Sequence, residues 1–164
     1  MQPSPRPAQW EYIILDIYID GDACPVKDET YRVAVRHGLR VFVVTHGFVR
    51  VPKQSGIEIV LVAEGLDAAD DWIAGRVGAG DICVTNDIPL AARVVAAGGR
   101  AIQPTGRVLD ARTVGNMRAT RDLMHDLREA GVIQGGGVAA FGKQDRSRYL
   151  SALDGLIVTI RRAE

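Results

Sequence analysis

The sequence contains two cysteines and no long apolar run, and both scarcities exclude classes of protein. Cys24 and Cys83 have neither the density of a disulfide framework nor the close spacing of metal ligands, so we expect reduced thiols. No apolar stretch reaches the roughly 20 residues that a membrane-spanning helix needs. The N-terminal segment MQPSPRPAQ lacks the apolar centre of a signal peptide. We therefore expect a cytoplasmic protein that does not contact membranes.

The sequence also lacks a net charge, but its charges are divided unevenly. Residues 1–90 hold 8 Lys and Arg against 13 Asp and Glu, whereas residues 91–164 hold 12 against 7. Of the 20 basic residues, 17 are arginine, whose planar guanidinium suits bidentate recognition of phosphate. The division is compatible with an anionic partner of the C-terminal half, and equally with an arginine-rich surface that only meets solvent.

The length of 164 residues predicts one domain with a sizeable core. We expect it to span residues 10–164, behind a proline-rich, disordered tail over residues 1–9. Short apolar runs alternate with amphipathic segments along the chain. The predicted strands are residues 13–20, 39–45, 57–63, 81–85 and 100–103. The predicted helices are residues 25–37, 67–77, 88–97, 113–130 and 143–161.

The predicted strands indicate the fold class. They are short, rich in β-branched residues and not alternating in polarity, as in strands that are covered on both faces. Alternation of such strands with helices predicts a mainly parallel sheet between two helical layers, a three-layer α/β/α fold. We expect the last two helices, joined by a flexible loop at Gly135-Gly136-Gly137, to pack on the same sheet.

Acidic residues follow the predicted strands at three points. Asp20 and Asp22 come directly after the first apolar run, in the turn Asp20-Gly-Asp-Ala-Cys-Pro. A second group follows the third strand, and a single aspartate follows Thr85-Asn86 at the end of the fourth. These are Asp67, Asp70 and Asp71, and then Asp87.

The carboxyl ends of parallel strands share one edge of the sheet, where open α/β folds bind ligands. Carboxylates that converge there raise one another's pKa unless a cation lies between them. We therefore predict a site for Mg²⁺ or Mn²⁺ at this edge. Its predicted metal-binding and catalytic residues are Asp20, Asp22, Asp70 and Asp87. The alternative, that Asp22, Asp67 and Asp87 are separate helix caps, leaves Asp20 unexplained.

Other residues are candidates for binding the substrate or supporting the site. Thr85 and Asn86 are predicted to orient substrate or water, although a turn explains them equally well. Cys24 is interpreted as a small buried residue behind the site, and Trp72 as a core residue with base stacking as the alternative. The three histidines lack ligand spacing and are expected to be structural or exposed. Among the candidate phosphate-binding arginines, which include Arg50 and Arg148, we select Arg118, Arg121 and Arg146. A surface position or a salt bridge is the alternative for each of them singly.

These motifs resemble the YaiI/YqxD family of bacterial proteins. The resemblance covers residues 17–156 and is carried by Asp20-Gly-Asp-Ala-Cys-Pro, Gly65-Leu-Asp-Ala-Ala-Asp, Thr85-Asn-Asp-Ile-Pro-Leu-Ala and Arg121-Asp-Leu-Met. The family is itself similar to PIN-like nuclease domains, which cut RNA with divalent metal held by a few acidic residues. The resemblance thus implies a PIN-like fold with Asp20, Asp70 and Asp87 as its acids. The first motif usually has alanine where Gly21 stands.

Three functions are open at this point. The favoured one is a metal-dependent ribonuclease, with RNA as the nucleic-acid partner because of the resemblance. A haloacid-dehalogenase-like phosphohydrolase would use Asp20 as nucleophile and Asp22 as acid and base, but the sequence offers no convincing partner lysine. A non-catalytic RNA-binding domain would keep the fold without the chemistry.

Overall fold

The structure, a computed structural model, describes residues 15–22, 24–54, 56–65, 67–132 and 141–163. The predicted tail over residues 1–9, the start of the first predicted strand at Ile13 and the Gly135-Gly136-Gly137 loop lie outside the described residues. In the described part of the chain, no helix combines the length and the apolar character that crossing a membrane requires.

Six strands of the described residues form one sheet in the order β3-β2-β1-β4-β5-β6. They are β1 (Asp16–Asp20), β2 (Arg40–Thr45), β3 (Ile57–Leu61), β4 (Ile82–Val84), β5 (Arg100–Ile102) and β6 (Val108–Leu109). Strands β1 to β5 pair in parallel, and β6 is antiparallel to β5. The predicted parallel sheet is confirmed. β6 has no counterpart among the predicted strands, because two residues are too few to leave a hydrophobic pattern.

Helices of the described residues flank this sheet. They are α1 (Lys27–His37), α2 (Ala68–Ala74), α3 (Ile88–Ala96), α4 (Ala111–Glu129) and α5 (Lys143–Arg162). All five correspond to predicted helices, with ends that differ by up to three residues. The first begins at Lys27 because Pro25 lies in the preceding turn and Val26 takes the N-cap position.

The sheet separates two apolar cores. In β1, Ile17 and Ile19 belong to the core beneath α1 and α5, and Tyr18 belongs to the core beneath α2, α3 and α4. Each group of helices therefore buries its apolar face against a different side of the sheet. The three-layer α/β/α arrangement predicted from the sequence is confirmed.

A buried ionic contact holds β1 at its amino end. Arg40, the first residue of β2, donates from Nε and Nη2 to the two carboxylate oxygens of Asp16, both at 3.1 Å. Asp81, just ahead of β4, accepts from the backbone nitrogen of Asp16 at 2.8 Å. These contacts hold β1, β2 and β4 in a register that pairs Asp16 with Arg40 and Asp20 with Val44. The register decides which residues emerge together at the carboxyl edge.

A hydrogen bond between α1 and α5 gives the first testable prediction. The hydroxyl of Tyr149 lies 2.6 Å from Thr30 Oγ1, which itself donates to the Val26 carbonyl at 2.7 Å. Tyr149 is therefore the donor in this fully buried pair. We expect Tyr149→Phe to lower the free energy of unfolding by about 1 kcal/mol, measured by urea denaturation.

Tyr31→Phe is the matched control. The Tyr31 hydroxyl is buried and has no hydrogen-bond partner among the described residues. Its removal should leave the free energy of unfolding unchanged or raise it, because an unpaired buried hydroxyl is costly. Equal losses in the two variants would show that the hydrogen bond is not the cause.

Candidate functional site

The candidate site lies where β1 and β4 end. These strands are neighbours, but from β1 the sheet extends to β2 and β3 on one side, and from β4 to β5 on the other. Loops that leave such a pair diverge and open a crevice at the carboxyl edge, where open α/β sheets bind ligands. Asp20 is the last residue of β1, and Thr85, Asn86 and Asp87 follow β4. Acids from both strands therefore flank the crevice.

Asp22 is held by the neighbouring strand β2. Thr45, the last residue of β2, is buried, and its hydroxyl donates to Asp22 Oδ1 at 2.5 Å. The chain runs close to β2 here, since Gly21 donates to the Val44 carbonyl at 2.8 Å. A Cβ on residue 21 would lie 2.9 Å from that oxygen, so the alanine of the usual motif requires the strand end to shift. Asp22 does not cap α1, whose N-cap makes no side-chain hydrogen bond.

Thr85, which directly follows β4, contacts Asp20 in the way that Thr45 contacts Asp22. It is 3% exposed, donates from Oγ1 to Asp20 Oδ2 at 3.5 Å and accepts from the backbone nitrogen of Asp87 at 2.9 Å. Asp87 caps α3, because its Oδ1 accepts from the backbone nitrogen of Leu90 at 3.0 Å. Burial makes Thr85 a positioning residue that ties Asp20 to the turn bearing Asp87.

Asp70 reaches the same region from helix α2. It lines a cavity of about 180 Å³ together with Asp20 and Asp22. Further lining residues follow the ends of β2 and β3, among them His46, Val62 and Gly65, or begin α2. No lysine or arginine of the described residues lines this cavity. The cavity is an anionic depression built around three of the predicted acids.

The four predicted acids form one electrostatic cluster. Burial raises the pKa of Asp20, and the nearby carboxylates of Asp22 and Asp87 raise it further. Burial also raises the pKa of Asp70 to about 6, with added repulsion from Asp87 and Asp20. Carboxylates that repel in this way hold a proton or a cation more tightly than isolated ones do.

Asp67 also lines this cavity, and its backbone is strained. Its φ of 68° is the one positive φ of a non-glycine residue in the described ranges. It takes the N-cap position of α2, but its side chain makes no capping hydrogen bond. Asp67 therefore takes the N-cap position considered from the sequence, without a capping hydrogen bond. Such backbone conformations persist where the surrounding structure enforces them, often at ligand sites.

The carboxylate oxygens at the site are suitable ligands for the predicted cation, although the side chains of the described residues do not form a complete coordination shell. Carboxylate, carbonyl and water oxygens are the ligands that Mg²⁺ and Mn²⁺ prefer. Within the described ranges, no group of three His, Cys, Asp or Glu side chains lies at ligand spacing. This openness suits Mg²⁺, which keeps several waters and takes one or two carboxylates directly. Cys24 offers no thiolate, because burial raises its pKa to about 11.

The other predicted residues lie on different surfaces. Asn86 and Arg121 line a second cavity beside α4, and Arg118 lies on α4 outside that lining. Arg146 donates to Glu29 Oε1 at 3.0 Å, so its guanidinium takes part in an ion pair between α5 and α1. None of these four residues lines the acidic cavity, and Arg146 lies on a different helix from Arg118 and Arg121.

Trp72 is half-buried and packs against the core. Its ring centroid lies 6.1 Å from those of Tyr18 and Phe42, and the Arg76 guanidinium lies 4.3 Å from it. Cys24 is also buried. The burial expected for Cys24 is confirmed, and so is the packing of Trp72 against the core.

His46 and Thr45 are not among the site residues predicted from the sequence. His46 lines the acidic cavity, and its Nε2 lies 3.9 Å from Asp22 Oδ2. Thr45 ends β2 and His46 follows it. Both residues lie at the carboxyl end of a predicted strand, so they could have been predicted from their position. The prediction considered only acidic residues at strand ends and therefore missed them.

The sequence comparisons identify the family. Residues 18–159 match the family described as "Uncharacterized BCR, YaiI/YqxD family". The chain belongs to the YaiI/YqxD family. The match spans the strands and helices that build the acidic cavity, from β1 to most of α5.

Relatives of the chain occur in several bacteria. A "UPF0178 protein" of Cereibacter sphaeroides is 55% identical over 139 residues, which are 85% of this chain and 86% of the relative. One of Caulobacter vibrioides is 51% identical over 151 residues, 92% of this chain and 98% of the relative. One of Gluconacetobacter diazotrophicus is 51% identical over 149 residues, 91% of this chain and 96% of the relative. No solved structure matches the chain.

The repulsion in the cluster predicts that removing one charge stabilises the protein. The pKa of Asp70 is about 6 in the folded protein against an ordinary value of 3.8. Because the folded value is the higher one, ionised Asp70 destabilises the fold above pH 6, and this penalty disappears as the pH falls from 6 to 3.8. Without divalent cations, we expect Asp70→Asn to raise the free energy of unfolding at neutral pH by about 1 kcal/mol, after discounting for solvent screening.

Urea denaturation at neutral pH and near pH 4 measures this effect, and the gain should vanish at the lower pH. Asp71→Asn is the matched control, because Asp71 is adjacent but exposed and pairs with Arg93 at 2.8 Å. It should show no gain. Equal stabilisation by both variants would attribute the effect to net charge rather than to the cluster.

Proposed function

We propose that this protein is a metal-dependent nuclease that hydrolyses phosphodiester bonds of RNA at the carboxyl edge of its sheet. The observation that supports this most is the cluster of four mutually repelling aspartates beside the crevice between β1 and β4. The preference for RNA rests on the resemblance of the family to PIN-like nuclease domains.

A phosphodiester is itself anionic, and the acidic cavity would repel it. None of the described lining residues is a lysine or an arginine that could offset this repulsion. Bound Mg²⁺ or Mn²⁺ would neutralise the carboxylates and act as a Lewis acid on the phosphodiester. In this proposal one or two of Asp20, Asp70 and Asp87 would bind the cation directly and the remainder through its waters, and Asp22 would support them from the β2 side.

Asp22 and His46 can handle the proton that hydrolysis releases. Asp22 Oδ1 accepts from Thr45, while Oδ2 lies 3.9 Å from His46 Nε2. Imidazole is the side chain best suited to exchange a proton at neutral pH. We assign to this pair the proton of the attacking water, with Thr45 fixing the orientation of Asp22.

A phosphoryl-aspartate mechanism has less support. It requires a cation from the protein close to the phosphoryl group on Asp20. The described lining of the cavity offers none, and Lys27 Nζ is occupied by the Cys24 carbonyl at 3.2 Å. Asp20 itself is tied to Thr85.

Cleavage of labelled single-stranded RNA with Mn²⁺ tests the proposal. Asp87→Asn should reduce the cleavage rate at least about 100-fold, the scale of losing one charge-stabilising group. Asparagine is as good an N-cap as aspartate, so α3 should keep its start and the variant should stay folded. Circular dichroism would verify this.

Asp71→Asn removes the same charge from an exposed position beside the cluster and should cut RNA like the wild type. Equal cleavage by the wild type and Asp87→Asn would indicate a contaminating nuclease. Absence of cleavage by the wild type across varied RNAs would refute the proposal.

Cation binding also predicts a thermal shift. Mn²⁺ at about 100 times its Kd should add about 2.7 kcal/mol to the free energy of unfolding. For a chain of 164 residues this corresponds to a rise in Tm of roughly 5 to 10 °C. Asp20→Asn should reduce the shift, and Asp71→Asn should preserve it. A Tm that Mn²⁺ does not move, in protein stripped of metal, would contradict a cation site.

A further inference from the structure

A second cavity, of about 510 Å³, lies beside α4 and has the opposite electrostatic character. Its described lining contains three arginines and no acidic residue. Arg121 and Arg128 come from α4, and Arg107 comes from the turn between β5 and β6. We call this cavity the arginine groove.

The three arginines are not neutralised within the described residues. None of them takes part in an ion pair there, whereas Arg36, Arg93 and Arg146 each pair with a carboxylate at 3.0 Å or less. A group of converging arginines without acids is suited to bind anions, above all phosphate, through bidentate hydrogen bonds.

Arg107 is presented by a rigid turn. Gly106 has a φ of 93° and donates to the Gln103 carbonyl at 2.8 Å, and Gln103 donates to the Arg107 carbonyl at 2.8 Å. A Cβ on Gly106 would lie 2.9 Å from the backbone of Arg148 in α5. The turn is therefore pressed against α5, which fixes the side of the groove opposite α4.

The arginine groove begins at the acidic site. Asn86 lines the groove and stands between Thr85 and Asp87 in the turn that follows β4. From Asn116 to Arg128, the groove follows α4 for about 18 Å at 1.5 Å per residue. At about 3.4 Å per stacked nucleotide, this length spans roughly five nucleotides.

Apolar groups share the lining with the arginines. Met117 packs partly against the core, and Met124 is 38% exposed. Methionine offers a flexible, polarizable surface for flat groups. Bases meet such a surface only when they are unpaired, because a duplex turns its bases inward.

We propose that the arginine groove binds single-stranded nucleic acid, with Arg107, Arg121 and Arg128 on the phosphates and the two methionines against the bases. Through Asn86 the strand would run into the acidic cavity. That last step rests on the proposed nuclease function, whereas binding in the groove does not.

Fluorescence anisotropy with a labelled single-stranded RNA of about 12 nucleotides tests the inference. The measurement is made with EDTA, so that binding is separated from cleavage. Three phosphate contacts predict a slope of log K against log salt of about −2, which is about a 20-fold loss of affinity from about 50 to about 200 mM salt. The double variant Arg107→Gln/Arg121→Gln should weaken binding and reduce that loss to about threefold.

Arg112→Gln/Arg162→Gln is the matched control. It removes the same charge from exposed positions in the first turn of α4 and the last turn of α5, outside the groove lining. It should keep the salt slope of the wild type. Equal weakening by both double variants would show that net charge alone drives binding, and would overturn the inference.

Competitors test the class of ligand. Unlabelled single strand should displace the probe better than the duplex of the same sequence or a polyglutamate peptide of equal charge. Equal or better competition by either would overturn the assignment, as would absence of wild-type binding at low salt. RNA binding that needs Arg107 and Arg121, without cleavage in Mn²⁺, would support the groove and refute the nuclease. Cleavage in Mn²⁺ together with RNA binding that does not change when Arg107 and Arg121 are replaced would support the nuclease and refute the groove.

Discussion

Electrostatic repulsion among Asp20, Asp22, Asp70 and Asp87 is the constraint on which the rest of this structure depends. Parallel strands bring these acids to one edge, and the fold must hold them there against their mutual charge. It does so with two hydroxyl contacts. Thr45, at the end of β2, donates to Asp22 at 2.5 Å, and Thr85, directly after β4, donates to Asp20 at 3.5 Å. Hydroxyl donors orient a carboxylate without cancelling its charge. The acids are therefore positioned but left available to bind a cation.

A comparison of the two ends of β1 shows that the acids at the carboxyl edge lack a basic partner although the chain has many basic side chains. At the amino end, Asp16 is buried and meets the guanidinium of Arg40 at 3.1 Å through both oxygens. At the carboxyl end, no lysine or arginine of the described residues lines the cavity next to Asp20, in a chain with 17 arginines. A buried acid with only a structural role is normally paired in this way, since an unpaired buried charge costs several kcal/mol. The contrast supports a role for the carboxyl edge that needs its negative charge.

Much of the fold and part of the site follow from local sequence patterns. Short β-branched runs are enough to predict β1 to β5 and their parallel pairing, and the position of acids after those runs is enough to predict the shared edge. Three features depend on long-range geometry instead. Whether Asp67 caps α2 by a hydrogen bond depends on a backbone angle that the sequence does not specify. Arg118 and Arg121 look alike in sequence, and only the rotation of α4 against α3 puts Arg121 in the groove lining. β6 exists because the turn at Gly106 brings two residues back to β5.

The uneven division of charge between the two halves of the chain corresponds in the fold to two surfaces, the acidic cavity and the arginine groove. The acids at the carboxyl edge and the arginines of the groove would pair with each other and neutralise both surfaces if they met. Helix α3 prevents this, because it packs against α2, which carries Asp70, and against α4, which carries Arg121. The turn at the start of α3 is where the two surfaces approach each other, with Asp87 belonging to the acidic cluster and its neighbour Asn86 to the arginine groove. Asparagine is uncharged, so it joins the two surfaces without pairing with either. A nucleic-acid strand bound as proposed would pass from the basic to the acidic surface across this residue, and the β4–α3 turn would then link binding to chemistry.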